Sequence, residues 1–206
     1  MIHDITPPIT PKLAVWPGDT APSRRVLCDM KAGANITLST LHSTVHLGAH
    51  ADGPNHYAEP APGIGERGLD HYIGPCHVVE ARVERGQRVG WNDVRWPADL
   101  RHARVLIRTG TFPDPETFNT DFAALDPALV DTLAARGVKT IGIDTPSVDL
   151  FESKDLPAHK AFLKHDMAIL EGLVLHAVPD GEYELIALPL RLMGFDASPV
   201  RAILRG

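Results

Sequence analysis

Asp126-Pro-Ala-Leu-Val-Asp-Thr-Leu-Ala-Ala-Arg-Gly137 runs directly into Val138-Lys-Thr-Ile-Gly-Ile-Asp144. The first half predicts a helix. Asp126 can cap it, and Pro127 sits at the first helical position, where a missing N–H is harmless. Leu129, Val130, Leu133 and Ala134 make an apolar stripe, and Gly137 stops the helix. The second half is a short apolar run of strand formers. A helix returning into a strand across one glycine points to α/β packing.

Outward from there, strand patterns fall at 35–45, 77–83 and 104–110, with two more at 173–178 and 183–190 around the turn Pro179-Asp-Gly181. A second short helix is expected at 157–166. The first 25 residues are Pro-rich and read as irregular, with a turn at Trp16-Pro-Gly-Asp19. Residues 48–68 repeat Gly and Pro and read as loop. Strands outnumber helices, and no regular βαβ alternation suggests a doubly wound sheet or a (β/α)8 barrel. The expected fold class is α/β (mixed β/α): one domain over 1–206, a mixed sheet or barrel core and few helices.

The chain has 206 residues, 44% of them hydrophobic and 22% charged, with a net charge of −6. That is ordinary globular composition. A negative chain has no global field to gather nucleic acid or an anionic membrane, so neither is expected as a partner. Cys28 and Cys76 show no metal or disulfide spacing, and no signal-like or bilayer-length apolar run occurs. The expectation is a cytoplasmic protein with a small-molecule substrate.

Histidine is the unusual residue. Five of the eleven (His42, His46, His50, His56 and His71) crowd into one short stretch. Within it, His46-Leu-Gly-Ala-His50-Ala-Asp52-Gly-Pro54-Asn-His56 places every potential ligand at an even position. On an extended chain those side chains share a face. Imidazole plus carboxylate without thiolate suits zinc, manganese or iron, and a set supplemented from elsewhere can leave a coordination position open for chemistry. Surface loop histidines are the bland alternative, and three histidines and an aspartate of one parity weigh against it.

The pattern H-x-G-x-H-x-D-x-P-x-H resembles the signature of the metal-dependent cyclase-like hydrolases. With Ile5-Thr-Pro-Pro, Trp16-Pro-Gly-Asp19, Gly142-Ile-Asp-Thr-Pro-Ser147, His159 and Glu171, the likeness spans nearly the whole chain and leans to the kynurenine formamidase branch. The resemblance implies a swivelling β/β/α fold and a homodimer. It also implies two divalent metal ions per subunit, zinc before manganese. His46, His50 and Asp52 would bind one ion, and His159 the other. Asp52 and Glu171 would bridge them, and His56 would be the general acid/base. Trp16 is the candidate to stack on an aryl substrate. The implied activity is hydrolysis of N-formyl-L-kynurenine to L-kynurenine and formate in tryptophan breakdown, by a metal-activated hydroxide. Hydrolysis of an isatin-like cyclic amide or lactone is the alternative, and a non-catalytic metal-binding protein is a third reading from another class.

Glu171 has independent support, because a carboxylate in Ala168-Ile-Leu-Glu-Gly-Leu173 is costly to bury unless paired or metal-bound. Other features are set aside. Gly63-Ile-Gly-Glu-Arg-Gly68 matches G-x-G-x-x-G but neither follows a strand nor opens a helix. Asp144 is expected to cap the turn that follows it, and His42 to support the site. His71 and His77 fit no metal spacing with the main cluster.

Overall fold

The computed structural model describes residues 1–206. Along the chain the strands are β1 (Ile2–Asp4), β2 (Ser23–Cys28), β3 (Leu38–His42), β4 (His50–Asp52), β5 (Ile73–Glu80), β6 (Arg88–Val89), β7 (Arg104–Arg108) and β8 (Ala124–Leu125). Helix α1 (Pro127–Ala135), β9 (Thr140–Ile143), α2 (Pro157–Lys164), β10 (Ala168–Glu171), β11 (Gly181–Ile186), β12 (Ala197–Pro199) and β13 (Ile203–Arg205) complete it. Nine strands form one curled mixed sheet in the order β1-β13-β11-β5-β7-β9-β10-β4-β12. Its centre, β5-β7-β9-β10, is parallel, and both wings are antiparallel. The expected mixed α/β class with few helices is the observed one. The missing βαβ regularity is confined to the wings: α1 and α2 do serve as crossovers between parallel neighbours in the centre.

The centre is apolar on both faces. Val105, Ile107, Ile141, Ile143 and Ile169 pack under α1 and α2 against Leu129, Leu133 and Phe162. Leu106, Ala168 and Leu170 face the other way, onto Ile5, Tyr72, Leu185 and Leu204. Strands buried on both faces read as continuous apolar runs rather than alternating ones. That is why β10 does not stand out by periodicity.

Helix α1 follows its sequence cues. The Asp126 carboxylate accepts a hydrogen bond from Ala128 N at 2.9 Å, a cap worth about 1 kcal/mol. At the other end Gly137, at φ +85°, closes the helix with Gly137 N donating to Ala134 O and Val138 N to Leu133 O.

Several expectations need correcting. Residues 173–178 are irregular, with a turn at 176–177, rather than a strand; Leu173 N and Val174 N donate to Ile143 O and Ile5 O, outside any ladder. The last hairpin strand begins at Gly181 and pairs with β5 from its first residue, with Gly181 opposite Val78. The N-terminal stretch supplies β1, paired with β13, and β2. Residues 50–52, read as loop, are the buried strand β4. The Gly63–Gly68 segment forms one short 3-10 turn, Ile64–Glu66, and leads into a second, Leu69–His71, and a Cβ on Gly65 would lie 2.5 Å from Leu192 O. Close backbone approach explains that glycine, with no phosphate needed. No helix is long and apolar enough to cross a membrane.

Candidate metal centre

The site forms where β4 lies antiparallel to β10, with Glu171 directly opposite His50. Two glycines allow the approach. Gly48 (φ +56°) and Gly172 (φ +64°) both take left-handed backbone, and a Cβ on Gly172 would sit 2.2 Å from Gly48 O. Any larger residue at 172 would push the two ligand-bearing strands apart.

On β4, His50 and Asp52 do share one face, with His50 Nε2 3.5 Å from Asp52 Oδ1. Strand parity explains only this pair. The chain leaves strand geometry before β4, and His46 reaches in from a loop, its Nδ1 3.2 Å from Asp52 Oδ1. His56 comes from the 3-10 turn 54–56, its ring centroid 4.2 Å from that of His46. From the far side, α2 delivers His159, whose Nε2 is 3.5 Å from Asp52 Oδ2 and 3.8 Å from Glu171 Oε1. Glu171 Oε2 lies 3.2 Å from His50 Nε2. All six residues named for the metals and the proton transfer are therefore within one cluster. His42 is not: it lies exposed on the β2–β3 hairpin.

The carboxylates divide their oxygens. Asp52 turns Oδ1 to His46 and His50, and Oδ2 to His159. Glu171 turns Oε2 to His50, while its Oε1 accepts from Val148 N at 2.7 Å on the side of His159. Geometrically, His50, Asp52 and Glu171 form one possible metal-holding triple, and His46, Asp52 and His56 a second.

These residues fit a cation. His50 Nε2 and both Asp52 oxygens are buried and have no hydrogen-bond partner. The Asp52 oxygens meet imidazole nitrogens at 3.2–3.5 Å without forming a hydrogen bond, a costly state for a buried carboxylate, since buried polar groups are almost always hydrogen-bonded. Ring orientation points the same way. His50 Nδ1 lies 2.8 Å from Gly48 O, a group that can only accept. Nδ1 therefore carries the proton and Nε2 presents a lone pair to the cluster. His159 is arranged likewise, donating from Nδ1 to Asp149 Oδ2 at 2.9 Å.

Asp149 and Asp196 carry parts of the site that sequence reading missed. Asp149 is fully buried and accepts from Ala158 N and His159 N, so it caps α2 and aims His159 at once. Arg88 Nη1 reaches its other oxygen at 2.9 Å. Burial disfavours the Asp149 anion, but His159 and Arg88 outweigh it and hold the carboxyl below its ordinary range. Asp196 Oδ2 lies 3.0 Å from His46 Nε2 and 3.7 Å from His56 Nδ1. It precedes β12, and only the pairing of β12 with β4 brings it there. No spacing in the chain signals either residue, although the polar Asp149 inside a folded apolar stretch is a hint.

Charge sets protonation. Burial works against a cation at His46 and His159, yet the neighbouring carboxylates prevail. Asp52 and Asp196 raise His46 to about 9, and Asp149 and Asp52 raise His159 to about 10. His56 is the exception: burial lowers it, leaving a neutral imidazole near pH 7. Asp144 plays a different part from the one expected. It braces the preceding strand's exit, accepting from Thr109 N, Thr109 Oγ1 and Gly110 N at 2.7–3.0 Å.

The cluster floors a cavity of about 630 Å³. Trp16 is on its wall, on the turn closed by Asp19 N donating to Trp16 O. It meets Phe118 edge-on at 5.5 Å and Phe151 at 4.9 Å between ring centroids. A histidine- and carboxylate-lined floor thus lies under a wall that includes Trp16, Phe112 and Phe118. The model of the Cyclase family matches residues 3–150.

The chain belongs to the Cyclase family.

Solved structures agree over nearly the full length of this family member. A potential metal-dependent hydrolase with cyclase activity is 26% identical, with a TM-score of 0.85 over 99% of this chain and 96% of that one. A predicted metal-dependent hydrolase from Bacillus stearothermophilus is also 26% identical, with a TM-score of 0.82 over 99% and 97%. Isatin hydrolase A from Labrenzia aggregata, bound to benzyl benzoate, shares the fold at 20% identity, with a TM-score of 0.78 over 99% and 93%. The chain thus sits in the cyclase-like metal-dependent hydrolase superfamily.

Proposed function

We propose that this cyclase-family chain is an arylformamidase that hydrolyses N-formyl-L-kynurenine to L-kynurenine and formate. The observation that carries the reading is the buried cluster of His50, Asp52 and Glu171, with His50 Nε2 and both Asp52 oxygens free of hydrogen bonds, beneath an aromatic-walled cavity. The divided oxygens of Asp52 and Glu171 favour two divalent ions, with His46 and His50 on one side and His159 on the other. Zinc suits this His/carboxylate set best and manganese next. When bound, such ions lower the pKa of water and polarise a carbonyl.

The chain's own residues do the rest. His56, neutral because it is buried, takes a proton at its ring nitrogen from the water that adds to the formyl carbon. The same nitrogen returns the proton to the departing arylamine nitrogen as the C–N bond breaks. Asp196 beside His56 Nδ1 steadies the ring while it carries charge. Trp16 and Phe118 hold the aryl ring. Trp16→Ala is expected to raise KM by up to about tenfold with little change in kcat, the loss of one aromatic contact.

A second reading is hydrolysis of a neutral cyclic amide such as isatin. It is favoured by the cavity lining, which includes Asp19 but neither lysine nor arginine, so no guanidinium or ammonium is there to pair with a substrate carboxylate.

The active form is proposed to be a homodimer. Hairpin β2–β3 is exposed along both strands, and presents Val26, Leu27, Leu38 and Leu41. A two-stranded hairpin is marginal alone, and a second copy would cover these side chains. Sedimentation of a monomer at micromolar concentration would exclude this.

The deciding experiment measures bound metal and turnover of formyl-kynurenine and isatin, before and after chelation. Formyl-kynurenine turnover that disappears with the metal supports the first reading. Turnover of isatin alone supports the second, and no metal-dependent turnover of either overturns both.

A further inference from the structure

A second histidine–carboxylate cluster lies away from the cavity. His77 on β5 stands directly opposite Glu182 on β11 in the antiparallel ladder. His102, just before β7, stacks on His77 with ring centroids 4.4 Å apart and planes 28° from parallel. One ligand atom from each of the three residues falls within 4.8 Å of the others. The hydrolytic centre is three strands away, at β10, on the order of 14 Å at ordinary strand spacing.

His77 is the independent sign. It is 98% buried, by a residual exposure of 2%, and its Nε2 has no hydrogen-bond partner. A buried ring nitrogen without a partner is rare enough to need a reason. His102 Nε2 lies 3.4 Å from Glu182 Oε2. Two ligands on a tetrahedral ion with bonds of about 2.1 Å stand about 3.4 Å apart. The pair is therefore already spaced for one ion.

We propose that His77, His102 and Glu182 form a second divalent metal site, selective for a transition metal such as zinc, cobalt or nickel. Two imidazoles favour these ions over calcium or magnesium. Three protein ligands leave the fourth position to water. Arg101 Nη2 holds both Glu182 oxygens at 2.9–3.0 Å. This does not block the site, since a carboxylate has about four lone-pair positions, and Oε2 can face an ion while Arg101 keeps Oε1. The ion ties the segment carrying His102 to β5 and β11, so its role is that of a clamp on the sheet, separate from hydrolysis.

The test is zinc content after equilibrium dialysis of the full chain, compared with His102→Gln, a partly exposed position. The expected result is one zinc ion fewer per chain in His102→Gln, with unchanged hydrolysis. Added zinc should also raise the Tm of wild type more than that of the variant. Glu182→Gln, on the surface, should weaken the same uptake at least tenfold. Equal zinc content and equal Tm response in wild type and both variants would overturn the site. The difference between chains is read whether or not formyl-kynurenine is turned over, so the two proposals fail separately.

Discussion

Two clusters on one sheet use the same residue types and differ in their surroundings. His50, Asp52 and Glu171 are all buried, with imidazoles held by Gly48 O and, at His159, by Asp149. His77, His102 and Glu182 bury one histidine and leave the carboxylate half exposed on Arg101. Ligand identity alone therefore does not distinguish a hydrolytic centre. A buried carboxylate without hydrogen bonds, aimed rings and an adjoining cavity do. The His77–His102–Glu182 cluster has a spare buried nitrogen but stands outside the cavity above the first cluster, so an ion there would not face a substrate in that cavity.

The largest break in this comparison is Asp52→Asn. It halves the carboxylate that faces three histidines, and should remove both bound metal and turnover. The loss should exceed the 10–100-fold typical of a supporting residue. Metal analysis and kinetics check this, and retained activity would reduce the buried cluster to the status of the His77–His102–Glu182 one.

His56→Ala should keep its metal and lose turnover by about 10²–10⁴-fold, as expected for a lost general acid/base. Metal loss without a specific turnover defect would make His56 a ligand, as its place near His46 and Asp52 allows.

Asp149→Asn should weaken metal binding by about 10–100-fold, because His159 loses the partner that fixes its proton on Nδ1. A chelator competition assay measures it. The same competition on the His77–His102–Glu182 site should be unmoved.

The smallest effect is on stability after chelation. His46 and His159 are raised in the folded chain to about 9 and about 10, against about 6.5 in an unfolded one. Their contribution is full below about pH 6.5 and disappears as pH rises through those folded values. The Tm of chelated protein should therefore fall from pH 7 to 10, by about 2–4 °C for each kcal/mol lost. His102→Gln should show the same fall, and metal-loaded protein should lack it, since the ions displace those protons. A flat profile in chelated protein would mean that the carboxylates do not hold protons on these rings.

How much was legible follows the range of each cause. The capped helix at Asp126, the turn at Trp16 and the strand at 140–143 are local, and local residues announce them. His50 and Asp52 share a face because two residues apart on a strand is also a local relation. His159 and Glu171 came from likeness to a family, and physical reasoning reached Glu171 alone, through the cost of its burial. Asp149, Asp196 and the His77–His102–Glu182 cluster had no local signal. Each depends on a pairing between distant strands or on a helix start capped from elsewhere. The short strands β1, β12 and β13 were missed for a related reason: three residues are too few to show a period, and ladder partners far along the chain make them strands.

By itself, then, the amino-acid sequence determined the α/β class, the placement of the main helix and the grouping of imidazole and carboxylate suited to a metal. Tertiary structure alone decided which oxygen faces which ring, which histidine is left neutral and which nitrogen lacks a partner. Those properties arise from burial and from charges that meet across the sheet, and β4 against β10, closed by Gly48 and Gly172, is what brings them together.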